Sequence, residues 1–534
     1  MERSSRYQLE HVMAFHFPET SKFSRRRFLQ YGTALAATSL LPAQMRSAVP
    51  RVNGYPFTLG VASGEPSPDG AVIWTRLALS PLAVDGGMSP ELVPVRWEVT
   101  EYGKGHKVVS TGTSTARPQW GHSVHVELSG LKPEHWYSYR FMVGDAVSPV
   151  GRFRTWPAAN ASPDRLRFAF ASCQKYEIGH YTAFEHMAAE DLDLIVHLGD
   201  YIYEKKDGKA AVRPHGLSTA ITLSDYRQRY SLYKTDPALQ AAHAMAPWLV
   251  TWDDHEFSND YANLISEDPE DWTLDAFRAR REAAYRAYYE NMPLRPSARP
   301  SCEHLRLHRR SDFGRLARFH ILDTRQYRSD QPGNGDEMPS DFPGLYDPKT
   351  TMLGEEQRDW LLDGLERSNA TWNVLAQQVL MARVDLKPGA GEMIDVDKWG
   401  GYEHERRTVL QHLHDAKVMN PVVITGDIHR NWANELTANF NSANADPVAA
   451  EFVGTSITSS GDGEKRPDFV DTLMAENPSV KYFNGERGYV RCEITPKTWQ
   501  TDFRTLPYVS RPGAPIRTAA SFVLENGRSN LLPA

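Results

Sequence analysis

Cysteine is scarce in this chain: Cys173, Cys302 and Cys492 are the only three among 534 residues. Three cannot build a disulfide framework, and one must stay unpaired unless it has another use, so the odd cysteine is a candidate ligand. Long apolar runs are missing too. The weakly apolar stretch YGTALAATSLL near the start is too short to span a bilayer. No long basic tract occurs, and a formal charge of −7 argues against a protein built to coat nucleic acid or an anionic membrane. No stable nucleic-acid complex is therefore expected. Gly-x-Ser-x-Gly is absent, which leaves no support for a covalent serine enzyme, and neither a Walker loop nor a dinucleotide fingerprint appears.

What is present describes an ordinary globular protein, 41% hydrophobic, 24% charged and 11% aromatic. Its length is too great for one core, so two domains with appendages are expected. Residues 1–43 read as an address. Ser24-Arg25-Arg26-Arg27-Phe28-Leu29-Gln30 resembles the twin-arginine export motif, with the weakly apolar stretch behind it. That order predicts a signal peptide passed to the twin-arginine (Tat) export machinery, a periplasmic or secreted product, and no transmembrane segment in the mature chain. No cysteine stands near the cleavage region to carry a lipid anchor.

Two architectures follow. Over residues 51–155 short segments rich in β-branched and aromatic residues (AVIWTRL, VPVRWEVT, HSVHVELSG, WYSYRFMVG) are separated by Gly, Pro and Asp, which predicts an all-β, fibronectin-like sandwich. Tyr137 and Tyr139 follow a Leu-x-Pro turn, as where a tyrosine ties down a sandwich corner. With no cluster of titratable groups, this region reads as a spacer or wall. Residues 164–510 instead alternate apolar strands (LRFAFA, LDLIVHL, WLVTW, ARFHILD, WNVLAQQ, PVVITG) with helical stretches, and 511–534 are expected to be a tail. Alternation of this kind means an α/β domain with buried strands. One helix, DAFRARREAAYRAYYENM, should place Leu274, Phe277, Tyr285 and Tyr288 near one face.

In such a domain chemistry gathers beyond the carboxyl ends of strands. Four strands end in reactive side chains: Ser172-Cys173-Gln174, Gly199-Asp200-Tyr201-Ile202-Tyr203-Glu204, Asp253-Asp254-His255-Glu256-Phe257-Ser258-Asn259, and Gly426-Asp427-Ile428-His429-Arg430. One Asp after a strand is an ordinary cap or turn residue. Four such ends point further, because adjacent carboxylates repel unless cations compensate them. Cys173, a tyrosinate and His429 suit a transition metal; Asp254, Asn259 and Asp427 offer oxygens to a hard cation, and Asp200 can bridge both kinds. A phenolate ligand favours Fe³⁺ over Zn²⁺. In Asp-x-x-Tyr, Asp200 and Tyr203 share one side if a helical turn begins there. His255 is the candidate proton donor or phosphate clamp, and Glu256 is expected to orient it or to cap the following helix. Arg325 and Arg430 are each as ready to form a salt bridge as to clamp phosphate, so neither is expected to be catalytic.

LGDYIYE, WDDHEFSN, LDTRQYR, WNVLAQQ, TGDIHR and the early PFTLGVASGEPSPDGAVIWTRL resemble the PhoD-type alkaline phosphatases, a branch of the metallophosphoesterases related to purple acid phosphatases. The resemblance covers about residues 55–510 and keeps the order of every block. It implies a four-layer α/β/β/α catalytic domain behind a fibronectin-like one, Fe³⁺ and Ca²⁺ in the site, and hydrolysis of phosphate esters outside the cytoplasm. Carried over residue by residue, it implies Cys173, Asp200, Tyr203 and His429 on iron, with Asp200 bridging. Asp254, Asn259 and Asp427 fall on the calcium side, and the choice between Asp253 and Asp254 stays open. The alternatives are a dedicated phosphodiesterase, including phospholipase D-like action, and a non-enzymatic envelope protein. The complete set of ligand types argues against the last.

Overall fold

The computed structural model describes residues 52–103, 105, 107–206, 211–301, 304–333, 336–439 and 445–534. The export segment expected in residues 1–43, and Cys302, lie outside them.

Two large sheets face each other. The first runs Ser123–Glu127, Gly70–Arg76, Val61–Ser67, Trp248–Val250, Leu194–His197, Leu166–Ala171, Val480–Ile494, Thr498–Leu506 and Arg517–Glu525. The second runs Arg309–Phe313, Ala317–Ile321, Trp372–Ala376, Pro421–Thr425, Ala449–Val453 and Asn431–Leu436. It ends on the first half of Val480–Ile494, a strand long enough to serve both sheets. Phe168, Phe170, Leu194 and Val196 of the first sheet pack against Phe319, Val374, Ile424 and Phe452 of the second. The residues between them in sequence point the other way, as strand alternation requires. Ala169, Ile195 and Val250 meet Phe184, Tyr230, Leu239 and Tyr285 of helices on one outer face. Leu375, Val423 and Val453 meet Leu361, Val409 and Leu410 on the other. The result is the α/β/β/α layering that the family resemblance implies, with the strands buried on both faces as their apolar runs require. Among the described residues no helix is long and apolar enough to cross a membrane.

The early β region departs from a free-standing sandwich. Val93–Glu101, Val108–Ala116, Trp136–Val143, Ala146–Val147 and Gly151–Arg154 form their own sheet. Its Val95, Val99, Tyr139 and Phe141 pack on Val61, Ile73 and Val124 of the facing sheet, which continues into the catalytic sheet where Gly64 pairs parallel with Trp248. A Cβ on Gly64 would stand 2.6 Å from Pro293 O and 2.8 Å from Trp248 O, so only glycine permits this junction. Tyr137 does tie a corner, its hydroxyl accepting the Lys132 N–H at 3.0 Å.

One expectation fails on long-range pairing. Residues 511–534 are no tail: Arg517–Glu525 pairs along Thr498–Leu506, and Phe522 and Leu524 enter the core between the sheets. In the helix Leu274–Asn291, Phe277, Tyr285 and Tyr288 are buried, whereas Leu274, in its first turn, is 55% exposed. Cys492 is a buried free thiol facing Thr501 across the sheet.

Candidate metal centre

The parallel strands Leu166–Ala171, Leu194–His197 and Trp248–Val250 end side by side, and their following loops are stitched together. Cys173 N–H donates to Gly199 O at 3.1 Å and Gln174 N–H to Asp200 O at 3.0 Å. Glu256, fully buried, accepts the N–H groups of Asp200 (3.0 Å), Tyr201 (2.7 Å) and Asp253 (2.9 Å). Glu256 therefore splints two strand ends instead of orienting His255. Gly199, at φ +113, lies where a Cβ would stand 2.4 Å from that of Asp253.

Cys173, Asp200, Asp427 and His429 all have left-handed backbones, with φ of 57, 55, 67 and 54°. None is glycine. Each such residue costs about 1–3 kcal/mol, and strain of this kind is kept where it aims a side chain. It also explains the meeting of Asp200 and Tyr203. No helical turn begins there, contrary to the expectation; the kink at Asp200 brings Oδ2 to 2.7 Å from the Tyr203 hydroxyl. His429 Nε2 lies 3.2 Å from the same hydroxyl, and Ser459 Oγ lies 2.7 Å from it. His429 Nδ1 is fixed by Ser460 Oγ at 2.8 Å.

Donor atoms of Cys173, Asp200 and His429 fall within 4.8 Å of one another, as do those of Asp200, Asp254 and His255. Asp200 belongs to both groups, and its Oδ1 is buried without a hydrogen-bond partner. Burial pushes the Cys173 thiol and the Tyr203 phenol well up, with the Asp200 carboxylate adding to it in both cases. Burial also pushes Asp200 itself up, and Asp253 and Asp254 reinforce this. Such a pocket of electron-pair donors is unfavourable without positive charge. Thiolate, imidazole, phenolate and carboxylate together fit a transition-metal cation.

The other predicted oxygens are held differently. Asp254 Oδ2 accepts Asp260 N–H at 2.8 Å while Oδ1 accepts His255 N–H at 3.0 Å. Asp253 is turned away onto Arg325, 2.5 Å from Nε. Asp427 is outside both tight groups, its Oδ2 2.6 Å from Lys398 Nζ. Asn259 donates Nδ2 to Asp260 and Glu267, each at 2.9 Å. His255 Nδ1 lies 2.7 Å from Glu204 Oε2, and its ring is 4.1 Å from that of Tyr203.

Sequence reasoning missed the countercharges. Arg325, with no exposed surface, reaches Asp253 at 2.5 Å, Asp397 at 2.9 Å, Asp427 at 3.6 Å, and Asp254 and Asp260 at 3.8 Å. Lys398 bridges Asp397 (2.9 Å) and Asp427. Even so, burial and the neighbouring Asp397 and Asp254 push Asp260 up to about 8, so the cluster keeps excess negative charge. Arg325 follows a strand end in LDTRQYR, a signal that its position alone could have supplied. Asp397 and Lys398 sit between the short strand Met393–Asp395 and the 3-10 turn Trp399–Tyr402 and carried no such signal. Arg430 is exposed and stacks on Phe469.

The geometry has matching relatives. The model of the PhoD-like phosphatase family matches residues 168–503, and that of the N-terminal domain of PhoD-like phosphatases matches residues 43–157. Alkaline phosphatase D of Bacillus subtilis (strain 168) is 47% identical over 529 residues, covering 96% of this chain and 89% of that protein. A solved structure of PhoD superposes with a TM-score of 0.88 at 47% identity, covering 91% of this chain and 93% of that one. With both segments matched and the likeness running almost end to end, this chain belongs to the PhoD-like phosphatases, enzymes that hydrolyse phosphoric esters.

Proposed function

We propose that the protein is an exported, metal-dependent alkaline phosphatase that cleaves phosphomonoesters and some phosphodiesters. The observation that carries this reading is the convergence of Cys173, Asp200, Tyr203 and His429, with Asp200 Oδ2 on the Tyr203 hydroxyl and Oδ1 buried without a partner. Those four would hold Fe³⁺. Asp200 and Asp254, with Asn259 and Asp427 beside them, would hold Ca²⁺. When bound, the cations neutralise the phosphoryl oxygens and make water acidic enough to attack phosphorus.

The chain's own residues do the rest. Ser459 and Ser460 fix the hydroxyl of Tyr203 and Nδ1 of His429, so neither ring swings from the site. Glu204 holds a proton on His255 Nδ1 and leaves Nε2 to protonate the departing alkoxide or to grip the phosphate. Arg325 keeps Asp253 and Asp397 from repelling the substrate, and tolerates the crowd of carboxylates while they await cations. The division of residues 51–155 from the catalytic region, which runs on through Arg517–Glu525, serves the same function, the β region buttressing the strand Trp248–Val250 through Gly64. Ser24 to Gln30, within 1–43, support export by the twin-arginine machinery.

The test is phosphate release by the purified chain from one monoester and one diester, before and after chelation, with metal analysis on the same sample. Full turnover by a metal-free preparation would overturn the proposal.

A further inference from the structure

Away from the metal centre, a cavity of about 510 Å³ lies between the early β region and the second sheet, lined by Glu65, Arg295, Arg306, His308, Arg309 and Arg310 among others. Four arginines face one carboxylate there. Glu65 is consumed by Arg309, whose Nε lies 2.9 Å from both of its oxygens. Arg295 pairs with Glu127 and donates to Glu65 O at 2.7 Å. Among the described residues no carboxylate pairs with Arg306 or Arg310. Arg310 lies over the Trp360 ring at 4.2 Å and donates through Nη2 to Trp360 O, while its Nε is buried without a partner.

His308 supplies the second observation. It is 4% exposed, lines the cavity, and neither ring nitrogen has a hydrogen-bond partner. Its ring meets only the edges or faces of Tyr327 and Trp360. A buried imidazole usually finds at least one partner, and leaving both nitrogens empty is costly. Burial, with the positive charges of Arg306, Arg309 and Arg310 adding to it, pushes it down to about 4. An anion would accept from the imidazole N–H and from the guanidinium nitrogens left open beside it.

We propose that this cavity is a second anion site, distinct from the metal centre, that takes a phosphate group. The planar donor forks of Arg306 and Arg310 suit phosphate oxygens, and the volume leaves room for the organic part of an ester. The enzyme's own chemistry presents that anion in two forms: free phosphate released by hydrolysis, or a further phosphate on a substrate that carries more than one. The cavity is tied to the catalytic strand ends, since Arg309 Nη2 donates at 3.0 Å to Val250 O, three residues before Asp253.

Calorimetric titration of the full chain with inorganic phosphate should show two sites in the wild type. Arg306→Gln and Arg310→Gln should each weaken one of them about tenfold and leave the other intact; Arg306 is exposed, so its variant carries little folding risk. A second arm compares kcat/KM for glucose 1,6-bisphosphate with that for glucose 6-phosphate. If the occupant is the substrate's own second phosphate, Arg306→Gln lowers this ratio about tenfold; if it is free phosphate, the ratio holds and the titration alone changes. Turnover of glucose 6-phosphate reports separately on the metal centre. One phosphate site in the wild type, indifferent to both substitutions, overturns the proposal.

Discussion

Glu204 and His255 form a pair whose 2.7 Å contact joins two strand ends, and the carboxylate is fully buried while the imidazole edge reaches the site. The same carboxylate accepts Asn259 N–H at 3.0 Å through its other oxygen. One side chain therefore sets both the ring and the loop beyond it. Glu204→Gln keeps the shape but can offer the imidazole nitrogen an N–H where an acceptor is needed. It should lower kcat about 10- to 100-fold with little change in KM. Combined with His255→Gln it should add almost nothing, because both remove one unit. Multiplicative losses in the double variant would show that Glu204 does not act through His255.

Tyr203 offers a spectroscopic test of the iron assignment. A phenolate on Fe³⁺ gives a visible charge-transfer band, so the metal-loaded protein should be coloured and Tyr203→Phe should bleach or shift the band. Because the hydroxyl also meets Asp200, His429 and Ser459, activity should fall as well. A colourless, iron-free and fully active preparation would rule the assignment out.

Cys173 is 1% exposed, and its ordinary fate in such burial would be an inert thiol. As a thiolate ligand it should resist alkylation in the loaded protein and become reactive only after metal removal and partial opening. Cys173→Ser should lose iron and most turnover. Alkylation of Cys173 without loss of activity would contradict this role.

The strand ends could be read in advance because short apolar runs fix where a buried strand must stop, and a reactive side chain stands out there against turn formers. Cys173, Asp200, Asp254 and His429 were accessible on that basis. What brings them together was not, since the left-handed kinks at Asp200 and His429 are backbone conformations that no spacing rule encodes for these residue types. The countercharges were hidden for another reason. Arg325 stands just past a strand end, but no sequence feature says which carboxylates it meets, and only the tertiary fold encloses it among five aspartates. Likewise the merger of the early sandwich with the catalytic sheet rests on a single Gly64–Trp248 bridge across 184 residues, and the pairing of Arg517–Glu525 shows no local mark. Non-local strand pairing leaves little trace in a sequence window.

The neighbours Asp253 and Asp254 separate structure from metal binding. Asp253 is 1% exposed and sits against the buried Arg325 guanidinium, so Asp253→Asn strips half of a buried ion pair and should destabilise the fold by about 3–5 kcal/mol. Asp254 instead stands with Asp200 and His255 in one donor group. Asp254→Asn keeps one of its two backbone contacts, because the amide oxygen can still accept from Asp260 or His255, and thermal unfolding should move much less. Its effect should fall on the exchangeable cation. Chelation should abolish wild-type turnover while iron remains, and added Ca²⁺ should restore it; Asp254→Asn should need at least tenfold more Ca²⁺ for half-restoration. Asp253→Asn, measured below its melting range, should respond like the wild type. Calcium responses equally insensitive in both variants, or restoration by Zn²⁺ alone, would place the second cation elsewhere than between Asp200 and Asp254.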